Sequence, residues 1–150
     1  MIKVSSCVTF FGNCRKAIDF YTQIFELNEV KALTFSDKSE LFNFDLSPEC
    51  KDLIYRAELN IKSSDSIFSI VMSDSPVLIF DSDIKNNPNN RDNITFEISS
   101  KDREWIEKTY NKLLEEGKRN TPLQEKKGEY DLSGSVMDKF GICWILNCYS

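Results

Sequence analysis

One order of signals, strand–helix–three strands, occurs twice in this chain, and that repetition constrains the fold more than any single motif. Val4-Ser-Ser-Cys-Val-Thr-Phe-Phe11 reads as a first strand, broken at Gly12-Asn13. Asn13 suits a helix N-cap. Cys14, Ala17, Ile18, Tyr21, Ile24 and Phe25 then recur at helical spacing, predicting a helix over about 14–26 with a core-facing stripe. Residues 28–36 and 40–46 read as strands or as strand and loop, and strands with clear alternation are expected over 53–61 and 66–74. Asn93-Ile-Thr-Phe-Glu-Ile-Ser99 restarts the pattern. Ser100 or Asp102 can cap a helix over about 102–116, with Ile106, Thr109, Tyr110, Leu113 and Leu114 inward and Gly117 as its C-cap. Strands follow over 118–124, 130–137 and 142–149. The last two are joined by Asp138-Lys-Phe-Gly141, whose Asp and Gly suit a tight hairpin reversal.

A module of this size is a poor core by itself, so two are expected to complete one fold, with 150 residues forming a single domain. Module 1 covers about 1–75 and module 2 about 93–150. The polar stretch between them, about 75–92, is either a linker or a lid over a site.

Composition narrows the chemistry. The chain contains no histidine, which removes the usual general base near neutral pH and the commonest metal ligand. Acid–base work would fall to a carboxylate, Tyr, Lys or Cys. The five cysteines show no Cys-x-x-Cys pair and are expected as reduced, small apolar residues. A net charge of −5 without a basic stripe argues against nucleic acid. No apolar run has the length of a membrane span and no signal-peptide pattern is present, so a cytoplasmic location is the expectation.

Several short segments, in order along the chain, carry a resemblance. These are Phe11-Gly-Asn-Cys14 with Ala17-Ile-Asp-Phe-Tyr21, Ala57-Glu-Leu-Asn-Ile61, Met72-Ser-Asp74, Thr121-Pro-Leu-Gln124 and Asp138-Lys-Phe-Gly-Ile-Cys-Trp-Ile-Leu-Asn147. The chain resembles the vicinal oxygen chelate superfamily of glyoxalases, bleomycin-resistance proteins and extradiol dioxygenases, and within it the PhnB-like branch. The resemblance implies an α+β fold in which two βαβββ modules form a curved, partly closed eight-stranded sheet. Helices would lie on its convex face and a ligand in the concave cavity.

Metal-dependent members place His or Glu at four strand positions, which by register fall here on Ser6, Val71, Asn93 and Ile145. None of these is a strong donor, so no metal and no other cofactor is expected. With those four facing inward, alternation adds Val8, Phe10, Ser69, Ser73, Thr95, Glu97, Cys143 and Asn147, and Arg56, Glu58 and Asn60 from the third strand. Trp144 falls on the opposite, helix-packed side. Tyr130 is not assigned to either side.

The resulting expectation is a metal-free small-molecule-binding protein of the PhnB-like kind, a homodimer by the same resemblance. Its expected ligand contacts are Arg56, Asn93, Phe10, Val71, Cys143, Ile145 and Asn147. The alternative is a lyase, isomerase or oxygenase with Glu97 or Glu58 as catalytic base. Arg56, Glu58 and Glu97 read first as a structural ion-pair cluster or as solvated groups in an open groove, and second as ligand contacts or catalytic groups.

Overall fold

The computed structural model of the chain describes residues 5–42, 45–62, 67–75 and 94–150. Asn93, and the 75–92 connection beyond Ser75, lie outside the described residues. The chain divides into two units, Met1–Asn86 and Asn87–Ser150, and each contains one βαβββ module. The α+β class and the duplication therefore stand as read from the sequence.

In the first unit, β1 (Ser6–Phe10), α1 (Cys14–Ile24), β2 (Ala32–Thr34), β3 (Ile54–Lys62) and β4 (Ile67–Asp74) build a sheet of order β1-β4-β3-β2. β1 runs parallel to β4, and the other pairs are antiparallel. Cys14, Ala17, Ile18, Tyr21 and Ile24 are the buried side of α1, as their spacing predicts. Ala57 lies opposite Met72 and Leu59 opposite Ile70, and all four are 0–2% exposed. This is the face that α1 covers.

The start of α1 is held differently from the sequence expectation. Asn13 occupies the N-cap position, but its side chain makes no capping bond. Asp74, at the end of β4, supplies the acceptor instead. Its Oδ1 accepts from the backbone N–H groups of Gly12 (2.8 Å) and Cys14 (3.1 Å), and its Oδ2 from that of Ile54 (3.0 Å). A carboxylate in this position satisfies orphan donors at the positive end of the helix and ties β1, α1 and β3 together. Asp74 is itself buried.

Among the described residues of 40–46, none is in a strand. A 3₁₀ helix runs over Ser36–Leu41, followed by the single-turn helix α2 (Pro48–Lys51). The cause is local. Asp37 Oδ2 accepts from Thr34 N (2.8 Å) and Thr34 Oγ1 (2.9 Å), which turns the chain out of β2 in favour of side-chain-to-backbone bonding.

The second unit repeats the arrangement with β5 (Thr95–Ser100), α3 (Arg103–Leu114), β6 (Lys118–Glu125), β7 (Leu132–Met137) and β8 (Cys143–Cys148), in the order β5-β8-β7-β6. Asp102 caps α3, its Oδ1 accepting from Trp105 N at 2.9 Å. Ile106, Thr109, Tyr110 and Leu113 form the buried stripe. The Phe96 and Trp144 ring centroids are 5.0 Å apart, and Val136, Trp144 and Leu146 are almost fully buried. Trp144 is thus core, as expected.

The 138–141 reversal forms as predicted, with Gly141 at φ 78°. Asp138 serves this hairpin much as Asp74 serves the first unit. Its Oδ1 accepts from Phe140 N (2.9 Å) and Ile142 N (3.0 Å), and its Oδ2 from Trp144 Nε1 (2.8 Å). Gly117 is not the left-handed C-cap residue. Glu116 takes the positive φ of 57°. Gly117 is needed for closeness, because a Cβ there would sit 2.6 Å from Met137 O and 2.9 Å from Leu113 O. No described helix is long and apolar enough to cross a membrane.

Candidate functional site

Strand pairing decides which side chains share the sheet face away from each helix. In the first unit, Val71 is flanked by Cys7 on β1 and Glu58 on β3, and alternation places Arg56, Asn60, Ser69 and Ser73 on the same side. The first strand departs from the sequence expectation. Ser6 pairs with Ile70, Val8 with Met72 and Phe10 with Asp74, so these three lie on the α1 side and Cys7 and Thr9 face the other way.

Phe10 is 1% exposed and packs in the core, a correction to its place among the ligand contacts. Ser6, likewise, does not share a face with Val71. The physical reason is that apolar Val8 and Phe10 gain more from burial beneath a helix than Cys7 and Thr9 would. With alternate residues polar or small on both sides, five residues did not fix the parity.

On the face away from α1 lies a groove of about 590 Å³ lined by Glu29, Lys31, Leu33, Arg56, Glu58 and Asn60. Arg56 Nη2 lies 3.5 Å from Glu58 Oε2, an i, i+2 pair on one strand face. Both are solvated enough for the pair to be weakly stabilising by itself. Asn60 Oδ1 accepts from Ser69 Oγ at 2.6 Å. Arg56, Glu58 and Asn60 are legible in the sequence through strand alternation. Glu29 and Lys31 precede β2 and are not marked by that alternation.

In the second unit the corresponding face is ordered in three rows across β5, β8 and β7. Ser99, Asn147 and Ser133 form one row, Glu97, Ile145 and Ser135 the next, and Thr95, Cys143 and Met137 the third. Glu97, Cys143, Ile145 and Asn147 are therefore brought to one face, as expected.

Asn147, only 1% exposed, organises this face. Its Oδ1 accepts from Ser133 Oγ at 2.7 Å. That fixes the carboxamide so that Nδ2 donates to Glu97 Oε1 at 2.6 Å. The Tyr130 hydroxyl, from the segment before β7, donates to the same oxygen at 3.2 Å. Tyr130, unassigned from sequence, is therefore a member of the cluster. A bond with Ser99 lowers the pKa of its phenol, but lost solvation and the carboxylates of Glu129 and Glu97 outweigh that, so the net shift is upward. The partners of Glu97 are thus Asn147 and Tyr130, while Arg56 pairs with Glu58 on its own strand.

No family model matches the chain, and neither does any curated protein. Solved structures do. Protein PA1353 from Pseudomonas aeruginosa superposes with a TM-score of 0.70 at 21% identity, covering 99% of this chain and 98% of that one. The PhnB protein from Bacillus cereus gives 0.67 at 19%, covering 98% and 99%. A glyoxalase/bleomycin resistance protein/dioxygenase family enzyme from Burkholderia phytofirmans gives 0.51 at 11%, covering 97% and 98%. The chain has the vicinal oxygen chelate fold.

A fold hosts many chemistries, so what a vicinal oxygen chelate protein does depends on its donor set. Of the positions that register from the resemblance assigns to metal ligands, Val71 and Ile145 have no donor atom, and Ser6 is turned toward α1 and so is not the cavity-facing position on β1. The fourth, Asn93, lies outside the described residues. Among the described residues, no group of three or more His, Cys, Asp or Glu side chains is placed to hold a metal ion. Val71 and Ile145 offer a metal ion no ligand.

Proposed function

We propose that this protein binds a small organic molecule without the help of a metal ion, on the sheet faces turned away from the helices, and acts as a cytoplasmic homodimer. The observation that carries the reading is the buried carboxamide of Asn147, locked by Ser133 and aimed at Glu97. Side chains held in advance, beside the apolar Ile145 and Cys143, are what a small-ligand site needs. In the second unit the proposed contacts are Cys143, Ile145 and Asn147; the first unit's groove, with Arg56 and Glu58 beside Val71, is proposed by itself as a contact surface. Pairing with a second copy suits sheets whose modules each leave two strand edges unpaired internally.

Elemental analysis of protein purified without chelator tests the metal-free part, with the expected content well below one ion per chain. Stoichiometric zinc, nickel, manganese or iron would overturn it. A thermal-shift screen of aromatic antibiotics and small thiol conjugates tests binding, and at least one stabilising compound is expected. Light scattering should give twice the 17.4 kDa chain mass.

A further inference from the structure

We infer that the second unit's open face recognises an ammonium group, with Glu97 as its anchor, so that the ligand class is an amine carried on an apolar body. This rests on the small-molecule-binding reading and names its ligand chemistry.

The donors of the cluster converge on one atom. Asn147 Nδ2 and the Tyr130 hydroxyl both donate to Glu97 Oε1, and neither bond falls on Oε2. Ser133 donates inward to Asn147 Oδ1, so the carboxamide cannot flip to offer an acceptor to Glu97. The network therefore holds the carboxylate in one orientation and leaves an acceptor oxygen presented to whatever approaches. An ammonium, with three donors and no acceptor, complements this, whereas an alcohol supplies one weaker donor.

Charge points the same way. Across the three rows of β5, β8 and β7, Glu97 is the one ionisable carboxylate among Thr, Ser, Asn, Met, Cys and Ile side chains. Among the described residues no cation lies within ion-pairing distance of it. Within the paired registers of this sheet, Lys118 stands opposite Met137 on β6, three strands from β5 or about 14 Å at ordinary strand spacing. Ile145, directly opposite Glu97, and Cys143 and Met137 in the next row supply the apolar ground for the ligand's body.

Three probes of one shape separate the possibilities: phenethylamine, phenethyl alcohol and 3-phenylpropionate, each titrated into the full ¹⁵N-labelled chain at low salt. The amine is expected to bind about tenfold tighter than the alcohol, shifting the Asn147 side-chain amide and the Ile145 and Cys143 backbone signals, with the carboxylate weakest. Glu97→Gln keeps an oxygen for Asn147 and Tyr130 to donate to. It should abolish the amine preference while leaving the alcohol within about twofold. Raising the salt should shrink the preference in the native protein and leave the variant unchanged.

Equal binding of amine and alcohol would overturn the ligand class and leave small-molecule binding standing. A preference that survives in Glu97→Gln would move the anchor elsewhere and overturn the assignment. No response of this face to any of the three at millimolar concentration would overturn both.

Discussion

Two buried carboxylates, Asp74 and Asp138, do equivalent work in the two units. Each accepts three donors from the chain around it, and each sits almost wholly out of solvent. Replacing Asp74 by Ala would strand the N–H groups of Cys14 and Ile54 inside the protein. The expected loss is about 3 kcal/mol or more, because buried donors to a charged acceptor are costly to leave unmade. Asp74→Asn keeps one acceptor oxygen and should lose roughly half as much. Urea denaturation of the three proteins checks the order.

Cys14, at the helix end beside Asp74, is fully buried. Burial, and then the Asp74 charge, push its thiol far above its ordinary value near 9. The folded pKa is raised, so the stabilisation is complete below that ordinary value and is lost as pH rises above it. The slope is about 1.4 kcal/mol per pH unit for one proton. Urea midpoints measured from pH 8 to 10.5 should show this slope in the native chain, and a reduced one in Cys14→Ala. In the native state a thiol reagent should label exposed Cys7 promptly and leave buried Cys14, Cys50 and Cys148 until unfolding.

At the scale of elements, caps and close approaches decide where helices stop and strands begin. Asp102 closes α3 in the way its residue type suggests, and Asp102→Ala should cost about 1 kcal/mol. Gly117 was legible as a glycine that matters, but its reason was not. A C-cap glycine tolerates Ala poorly because of its φ, whereas Gly117 tolerates it poorly because β7 passes within 2.6 Å of where a Cβ would stand. Gly117→Ala should therefore destabilise by about 2 kcal/mol through a forced backbone shift, measured by thermal unfolding. The β1 register shows the same division. That Ser6–Phe10 is a strand followed from composition, but which side it shows to α1 followed only from its pairing with β4. The 36–41 turn illustrates the converse, since Thr34 and Asp37 are close in sequence and their bonds override a strand-like run.

At the scale of the molecule, the absence of histidine and the donor-poor ligand positions predict indifference to chelation. Dialysis against EDTA should leave the unfolding midpoint within about 1 °C, and added zinc or nickel should not raise it in a saturable way, because an ion that binds only the native state must stabilise it.

The duplicated βαβββ plan, the buried stripes of both helices, the terminal hairpin and the exclusion of imidazole chemistry are all legible in the chain's residue order. Each of these is written in residues near one another, as periodicity, turn chemistry or composition. Only the tertiary structure decided that Asp74 rather than Asn13 caps α1, that Phe10 is core, and that Asn147, Ser133 and Tyr130 converge on Glu97. In those cases the partners are far apart in sequence, up to 62 residues for Asp74 and Gly12. Strand register brings them together, and register is set by the sum of many weak contacts across the sheet rather than by any local pattern.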